Sequence, residues 1–284
     1  MNIANIITSW LAFRDRMCTL DRVAGSTVAN QRQVAGVLVA NLGNIEIADL
    51  RKSHLDLYAG ERLLSCKPVT VSAELAVLRQ VLNWAVDEQL LGARPRFPTI
   101  SVPNIEKPLP GDEDYLWFLR TMSVHHANAL EFMLLTGLAP HELERIHVGD
   151  FDPLQREIII GGRADFAVKQ ESRRRRIPLN GRARSIWVTW TVGLIPTAAP
   201  FPRSDALQKA MRRHVLDSQD APLAADGLTP KMMRKWFASK IASEQGEAVL
   251  QRLLGHAPGS PVTRRHYIRT NASQMETAVR DVCL

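Results

Sequence analysis

Closely spaced prolines divide this chain into two parts. Four of them, Pro98, Pro103, Pro108 and Pro110, lie between residues 98 and 110. Proline lacks a backbone N–H donor and its ring clashes with the preceding helical turn, so no continuous helix can cross this segment. A chain of 284 residues is also long enough for about two domains. We therefore predict a first domain over residues 1–97, a semi-rigid linker over 98–110 and a second domain over 111–284.

The first part has the spacing of apolar residues that is typical of helices. Its clearest segment is 72–90, where Ser72 is a plausible N-cap, Gly92 a plausible stop, and the apolar residues recur at helical intervals: Leu75, Leu78, Val81, Leu82, Ala85 and Val86. Shorter amphipathic segments at 5–17, 26–41 and 52–60 predict three further helices. Residues 1–97 are therefore expected to form a small helical domain.

The second part mixes helices with one β region. Residues 156–160 are rich in β-branched side chains and precede Gly161-Gly162, which predicts a strand, and further strands are expected at 166–169 and 174–179. Helices are predicted at 112–122, 128–138, 142–147, 181–192, 205–216, 230–244 and 248–254. The predicted fold class is mainly α with a small β-sheet.

Positive charge is concentrated in the second part. The chain has 36 Lys and Arg against 29 Asp and Glu, a net charge of +7. Most of the excess falls between residues 163 and 184, where only Asp165 and Glu171 oppose the basic residues Arg163, Lys169, Arg173, Arg174, Arg175, Arg176, Arg182 and Arg184. This charge favours a polyanionic partner, nucleic acid first and an anionic membrane surface second.

Several classes of protein fit the sequence poorly. Three cysteines without C-x-x-C spacing argue against a disulfide framework and against a zinc site. No run approaches the ~20 apolar residues that a membrane-spanning helix needs. The first ten residues lack the basic and apolar regions of a signal peptide. We therefore expect a cytoplasmic protein without a membrane span or a zinc site.

Chemically capable side chains gather near the C-terminal end. Lys231 and Arg234 precede Gly255-His256, and Tyr267 follows His256 by eleven residues. A phenol ionises near pH ~10, so a nucleophilic tyrosine needs cationic neighbours and a substrate whose developing charge they can hold. A phosphodiester meets this demand. Taken singly, each residue has an ordinary structural explanation, as a half-buried tyrosine, a helix-capping histidine or a salt-bridged arginine.

Five segments in fixed order strengthen the chemical interpretation. They are Leu-Leu-Thr-Gly-Leu-Ala-Pro-His-Glu-Leu at 134–143, the hairpin with Lys169, Leu-Thr-Pro-Lys-Met-Met-Arg at 228–234, Leu-Gly-His at 254–256, and Tyr267. With them the chain resembles the tyrosine recombinase family, which includes the phage integrases and the Xer and Cre recombinases. The resemblance implies a helical core-binding domain followed by a mixed α+β catalytic domain.

The resemblance also implies a role for each residue. Tyr267 would attack the scissile phosphate and form a 3′-phosphotyrosyl link, while Arg234 would clamp the non-bridging oxygens with a bidentate guanidinium. His256 would donate to the same phosphate, and Lys169 would protonate the leaving 5′-oxygen. Lys231 stands where the family commonly has histidine and sometimes lysine.

One position departs from the family. Where the resemblance calls for the first phosphate-clamping arginine, the chain has Ala139. Losing one preorganised donor typically costs ~10²–10³ in rate. Three explanations stay open at this stage: an engineered Arg→Ala change, a substitute cation such as Arg145 or Arg163, or a degenerate recombinase that binds DNA without cutting it.

The resemblance implies double-stranded DNA and further protomers as partners, with no membrane partner and no metal or other cofactor. Arg173, Arg174, Arg175 and Arg176 are expected to contact DNA phosphates, although a solvated strand edge is the simpler alternative. A homotetramer on DNA, or a mixed assembly with a related recombinase, would use the tail at 273–284 as its contact. The alternative functions are a regulatory DNA-binding paralogue and a topoisomerase IB-like relaxing activity.

Overall fold

A computed structural model describes residues 1–103, 111–166, 168, 171–222, 225–260 and 263. The chain divides into two compact units, Met1–Glu106 and Lys107–Leu284. The division falls inside the segment that was predicted to be a linker. Within the described ranges, no helix combines the length and the apolar character that crossing a membrane requires.

The first unit consists of four α-helices: α1 (Ile3–Thr19), α2 (Gly25–Leu42), α3 (Lys52–Ser65) and α4 (Pro68–Asp87). Helix α4 begins at Pro68, four residues before the predicted N-cap at Ser72, so that N-cap prediction is wrong. Proline is well suited to the first helical position, because the N–H it lacks would have no partner there. The helical stripe was predicted correctly, since Leu75, Leu78, Val81, Leu82 and Ala85 are buried.

The described part of the second unit has seven α-helices around a large apolar core and a smaller cluster between α10 and α11. These are α5 (Asp112–Thr121), α6 (Val124–Thr136), α7 (Pro140–Leu143), α8 (Gly181–Thr191), α9 (Ser204–Asp217), α10 (Pro230–Gln245) and α11 (Glu247–Leu254). Helix α10 packs against α6, α9 and α11. Helix α7 is shorter than the predicted 142–147 segment and begins earlier, again with proline at its first position. The result is a mainly helical unit.

A small antiparallel sheet completes this unit. Strands β1 (Phe151–Asp152), β2 (Glu157–Ile160) and β3 (Arg175–Pro178) lie in the order β1-β2-β3, with Ile158 opposite Ile177. Strand β1 escapes sequence analysis because two residues carry no periodicity. The strand predicted at 166–169 is wrong at Phe166, which lies in a 3₁₀ turn, and Lys169 lies outside the described residues.

Strand β3 alternates between buried and exposed residues, and one of its buried residues is an arginine. Arg175 and Ile177 are buried, whereas Arg176 and Pro178 are exposed. Successive residues of a strand point to opposite faces of the sheet, so an arginine at position 175 must lie on the core side. The buried face of β3 therefore presents one guanidinium toward the interior of the unit.

Helix α6 ends at a glycine on which α10 packs closely. Gly137 has φ +67°, the left-handed conformation that glycine adopts without strain, and its N–H donates to the Met133 carbonyl. A Cβ at this position would collide with the Phe237 ring of α10. The glycine is therefore required both by the backbone conformation and by the neighbouring ring.

The substitution Gly137→Ala is expected to destabilise the fold by more than backbone strain alone. The left-handed conformation costs an L-residue roughly 1–2 kcal/mol, and overpacking against the Phe237 ring adds about 1–3 kcal/mol. The matched control is Gly193→Ala, because Gly193 has φ +77° and a methyl group added there would meet no atom within 4 Å. Urea unfolding of both variants checks this difference, and equal losses of stability would contradict it.

Candidate active site

The side chain of Glu142 lies at the centre of the predicted site. It is the third residue of α7, and its Oε2 accepts the N–H of Ala139 at 2.8 Å, which ties the helix to the loop that precedes it. Only 3% of Glu142 is exposed. A buried carboxylate needs paired cations and further hydrogen bonds to offset its lost hydration.

Arg175 provides the first of these cations. Its Nη1 and Nη2 donate to the two Glu142 carboxylate oxygens, each at 2.8 Å, in the bidentate geometry that guanidinium and carboxylate favour. Its Nε donates to the Leu253 carbonyl at 2.7 Å. One arginine thereby fastens β3 both to α7 and to the last turn of α11.

Arg234 provides the second cation from α10. Its Nη1 donates to the Gly137 carbonyl at 2.8 Å and to Glu142 Oε2 at 3.2 Å, and its Nη2 donates to the Leu254 carbonyl at 2.8 Å. Carbonyls in the last turn of a helix have no partner within the helix and favour a cation. Arg234 is therefore held in one place by three different parts of the chain.

The trio of Glu142, Arg175 and Arg234 has a defined charge state. Burial by itself would raise the pKa of Glu142, but hydrogen bonds and charge from Arg175, with further contributions from Arg234 and the Ala139 N–H, lower this pKa to about 2. The carboxyl group is thus ionised at neutral pH. Two guanidinium groups and one carboxylate give the trio a net charge of +1, which suits a site for an anion.

His256 lies next to this charge. It follows Gly255, which ends α11 with φ +69°, and its Nδ1 lies 2.8 Å from the Oγ1 of the buried Thr263. Burial lowers the pKa of His256 to about 4, and the charges of Arg234, Arg173 and Arg175 act in the same direction. The imidazole is therefore neutral at neutral pH. If Thr263 donates to Nδ1, the proton lies on Nε2 and can be donated to a ligand.

The structure brings part of the predicted site together. Arg234 belongs to the trio, and Ala139 and His256 lie beside it, since the Ala139 N–H donates to Glu142 and Arg234 donates to the Leu254 carbonyl two residues before His256. Lys231 is exposed in the first turn of α10. Lys169 and Tyr267 lie outside the described residues, and so does the tail at 273–284.

The basic stretch at 173–176 differs from the expected row of DNA contacts. Arg175 is buried against Glu142, so its guanidinium is committed to the interior. Arg174 and Arg176 are exposed, paired at 3.3 to 3.5 Å with surface carboxylates that stabilise the fold little. Both line a groove of about 890 Å³ between the hairpin and α11, which His256 also lines. Arg173 is half-buried.

The sequence motifs give Glu142 no role beyond its place in a matching segment, and they do not point to Thr263. They predict that Arg175 contacts DNA phosphates, which is wrong because the structure buries it against Glu142. A local signal existed for Glu142, because proline followed two residues later by glutamate is typical of a helix start whose carboxylate bonds back to the chain. Across the described residues, no group of three histidine, cysteine, aspartate or glutamate side chains is placed to hold a metal ion.

Comparison with known families covers most of the second unit. Residues 113–274 match the model of the phage integrase family. The chain is 26% identical to the tyrosine recombinase XerC of Erythrobacter litoralis (strain HTCC2594) over 232 residues, which cover 75% of this chain and 72% of that protein. It is 25% identical to XerC of Proteus mirabilis over 259 residues, or 83% of this chain and 81% of that one.

Solved structures share the fold at lower sequence identity. The Tn1549 transposon integrase, in complex with a circular intermediate DNA, matches with a TM-score of 0.73 and 17% identity over 100% of both chains. A lambda integrase dimer bound to a COC′ core site matches with a TM-score of 0.70 and 13% identity, over 95% of this chain and 97% of that one.

The substitution Glu142→Gln should destabilise the second unit strongly. It would leave two buried guanidinium groups without a counter-ion, and breaking a buried pair in this way costs about 3–5 kcal/mol. The control is Glu131→Gln, which removes an ion pair with Arg182 whose arginine side chain is 58% exposed and which should cost at most about 1 kcal/mol. Urea unfolding that gave both variants the same stability would refute the central position of Glu142.

The imidazole of His256 should stay neutral well below neutral pH. Burial and the nearby Arg234, Arg173 and Arg175 hold its pKa at about 4, with Glu142 opposing them. Because this pKa lies below the ordinary value of about 6.5, folding disfavours protonation, and stability is lost as the pH falls from about 6.5 through 4. NMR titration of the ring nitrogens checks this prediction, and protonation at pH 6.5 would contradict it.

Proposed function

Since this chain belongs to the phage integrase family, we propose that it is a site-specific DNA recombinase that cleaves and rejoins strands through Tyr267. The observation that carries the proposal is the convergence of Arg234 and His256 with the loop at Ala139 around one buried carboxylate. A positively charged site with a neutral histidine suits a phosphodiester, whose transition state places added negative charge on its non-bridging oxygens.

The proposed reaction conserves the phosphodiester bond energy. The Tyr267 oxygen attacks phosphorus as its phenol loses a proton, and the bond from phosphorus to the 5′-oxygen breaks. Lys169 gives that oxygen a proton, which leaves a 3′-phosphotyrosyl link and a free 5′-hydroxyl. Attack by a 5′-hydroxyl from another strand reverses these steps and releases Tyr267. The sequence of steps requires neither ATP nor a metal.

In this chain, fixed donors would serve the reacting phosphate. Arg234 is positioned by the carbonyls of Gly137 and Leu254 as well as by Glu142, so no reorganisation is needed when negative charge develops. His256 would donate through Nε2 while Thr263 holds its other nitrogen. Lys231, exposed three residues before Arg234, could donate to phosphate as a cation.

The proposed partners are duplex DNA and further copies of the protein. Exposed Arg174 and Arg176 would contact the DNA backbone, whose binding by cations is independent of sequence and sensitive to salt. Exchange between two duplexes would require four protomers, and the tail at 273–284 is the proposed contact between them. A mixed assembly with a related recombinase is the other possible arrangement.

The proposal predicts a covalent protein–DNA product that depends on Tyr267. The tagged chain is incubated with fragmented DNA from its source organism and denatured in SDS, and DNA that remains attached to the protein is sequenced. The expected result is enrichment of one sequence by the unaltered chain and none by Tyr267→Phe. Because the two proteins differ by one hydroxyl, folding and reversible DNA binding should be equal.

A regulatory DNA-binding paralogue is the second candidate, and Ala139 is the observation that favours it. This candidate predicts specific DNA binding by the unaltered chain without any SDS-stable product. Recovery of a Tyr267-dependent product from the unaltered chain would exclude it, whereas a product from Ala139→Arg alone would support it. Failure of both to form such a product, despite specific binding, would reject the recombinase proposal.

A further inference from the structure

In the proposed function Arg234 binds one side of the phosphate. Because residue 139 is alanine, another cation must bind the opposite side. Arg163 is unsuited, because it pairs with the carboxylates of Asp150 and Asp165. Arg145 donates to the Asp165 carbonyl at 2.7 Å and lies over the Phe166 ring at 4.6 Å. Both candidates suggested by the sequence are therefore engaged away from Glu142 and His256.

The backbone of Arg173 lies against the turn that carries His256. A Cβ built on Gly255 would come within 2.9 Å of the Arg173 Cα. The Arg173 carbonyl accepts from Nη1 of Arg175 at 3.1 Å, and that same nitrogen donates to Glu142. Arg173 is thus fixed to the buried trio through its own backbone, two residues before the first residue of strand β3.

The side chain of Arg173 differs from those of its neighbours. Arg174, Arg175 and Arg176 each pair with a carboxylate. Arg173 is half-buried as a residue, and among the residues that the structure describes its guanidinium has neither a carboxylate nor another acceptor within bonding distance. A partly desolvated cation beside a cluster that already carries +1 is unfavourable until an anion joins it.

The charge of Arg173 also acts on two histidines. Together with burial and other cations, it lowers the pKa of His256 on the α11 turn and that of His141, two residues after Ala139. With the backbone contact at Gly255, this places Arg173 beside the turn that carries His256.

We infer that Arg173 is the second phosphate-binding arginine of this site and takes the place of the guanidinium missing at position 139. Its ligand is a non-bridging oxygen of the DNA phosphodiester, on the opposite side from Arg234. The inference rests on the proposed function for the identity of that ligand. Under this inference Ala139 does not mean that the site has lost its activity, because the hairpin supplies the cation in place of the loop after α6.

The first test measures binding of inorganic phosphate, which needs neither the target sequence nor Tyr267. Titration is followed through the ring nitrogens of His256 by NMR. Removing one charged bidentate donor should weaken phosphate binding by Arg173→Ala about tenfold or more, whereas Arg182→Ala, at an exposed pair outside the site, should change it less than about twofold. Unchanged affinity in a folded Arg173→Ala variant would overturn the inference. Arg173→Gln keeps the side-chain carbons from Cβ to Cδ and a polar end without the charge, and serves if the alanine variant is unstable.

The second test asks whether the two positions substitute for each other. Arg173→Ala should slow formation of the Tyr267–DNA product by ~10²–10³, and adding Ala139→Arg to that variant should recover at least about tenfold. In the unaltered chain, Ala139→Arg should have much less effect. If the effects of Arg173→Ala and Ala139→Arg on this rate are additive, one arginine does not replace the other, because residues that bind the same phosphate are expected to couple.

The two proposals fail in different ways. If the unaltered chain forms the covalent product and Arg173→Ala forms it equally fast, Arg173 is not the missing arginine, although the recombinase proposal stands. If Arg173→Ala loses phosphate affinity but no protein forms a covalent product, the anion site stands and the recombinase proposal fails.

Discussion

The bidentate contact between Glu142 and Arg175 holds the second unit's functional region together. It joins α7 to β3, and through the Leu253 carbonyl it reaches the end of α11. Arg234 then connects the same carboxylate to α10 and to the loop at Gly137. Elements far apart in sequence thus depend on one buried acidic group. Two cations against one anion leave the region with a net positive charge.

Two glycines allow these elements to approach one another. Gly137 brings the end of α6 against Phe237, and Gly255 brings the turn before His256 against the backbone of Arg173. Side chains at either position would separate the parts that carry Arg234, His256 and Arg173. The glycines of Thr-Gly-Leu and Leu-Gly-His are therefore needed for close packing. Both also adopt the left-handed conformation that glycine takes without strain.

Sequence periodicity predicted most of the helices because their apolar stripes are long. It failed for β1, whose two residues have no period, and at Phe166, where a turn replaces the expected strand. Ordered motifs predicted Arg234 and His256 as neighbours. They could not reveal that Arg175 faces inward while Arg174 and Arg176 face outward, since that depends on the register of β3 against β2. The contacts of Glu142 with Arg175 and Arg234 likewise depend on three segments that are far apart in sequence.

The most direct test of the proposed phosphate site is a crystal structure of the Tyr267→Phe variant bound to the DNA site that the covalent product identifies. We predict that the guanidinium groups of Arg173 and Arg234 contact opposite non-bridging oxygens of one phosphate at about 2.7–2.9 Å, with His256 donating to the same group. A phosphate held by Arg145 or Arg163, with Arg173 turned away from it, would contradict this arrangement. So would DNA bound elsewhere on the second unit, with no phosphate near Arg234 and His256.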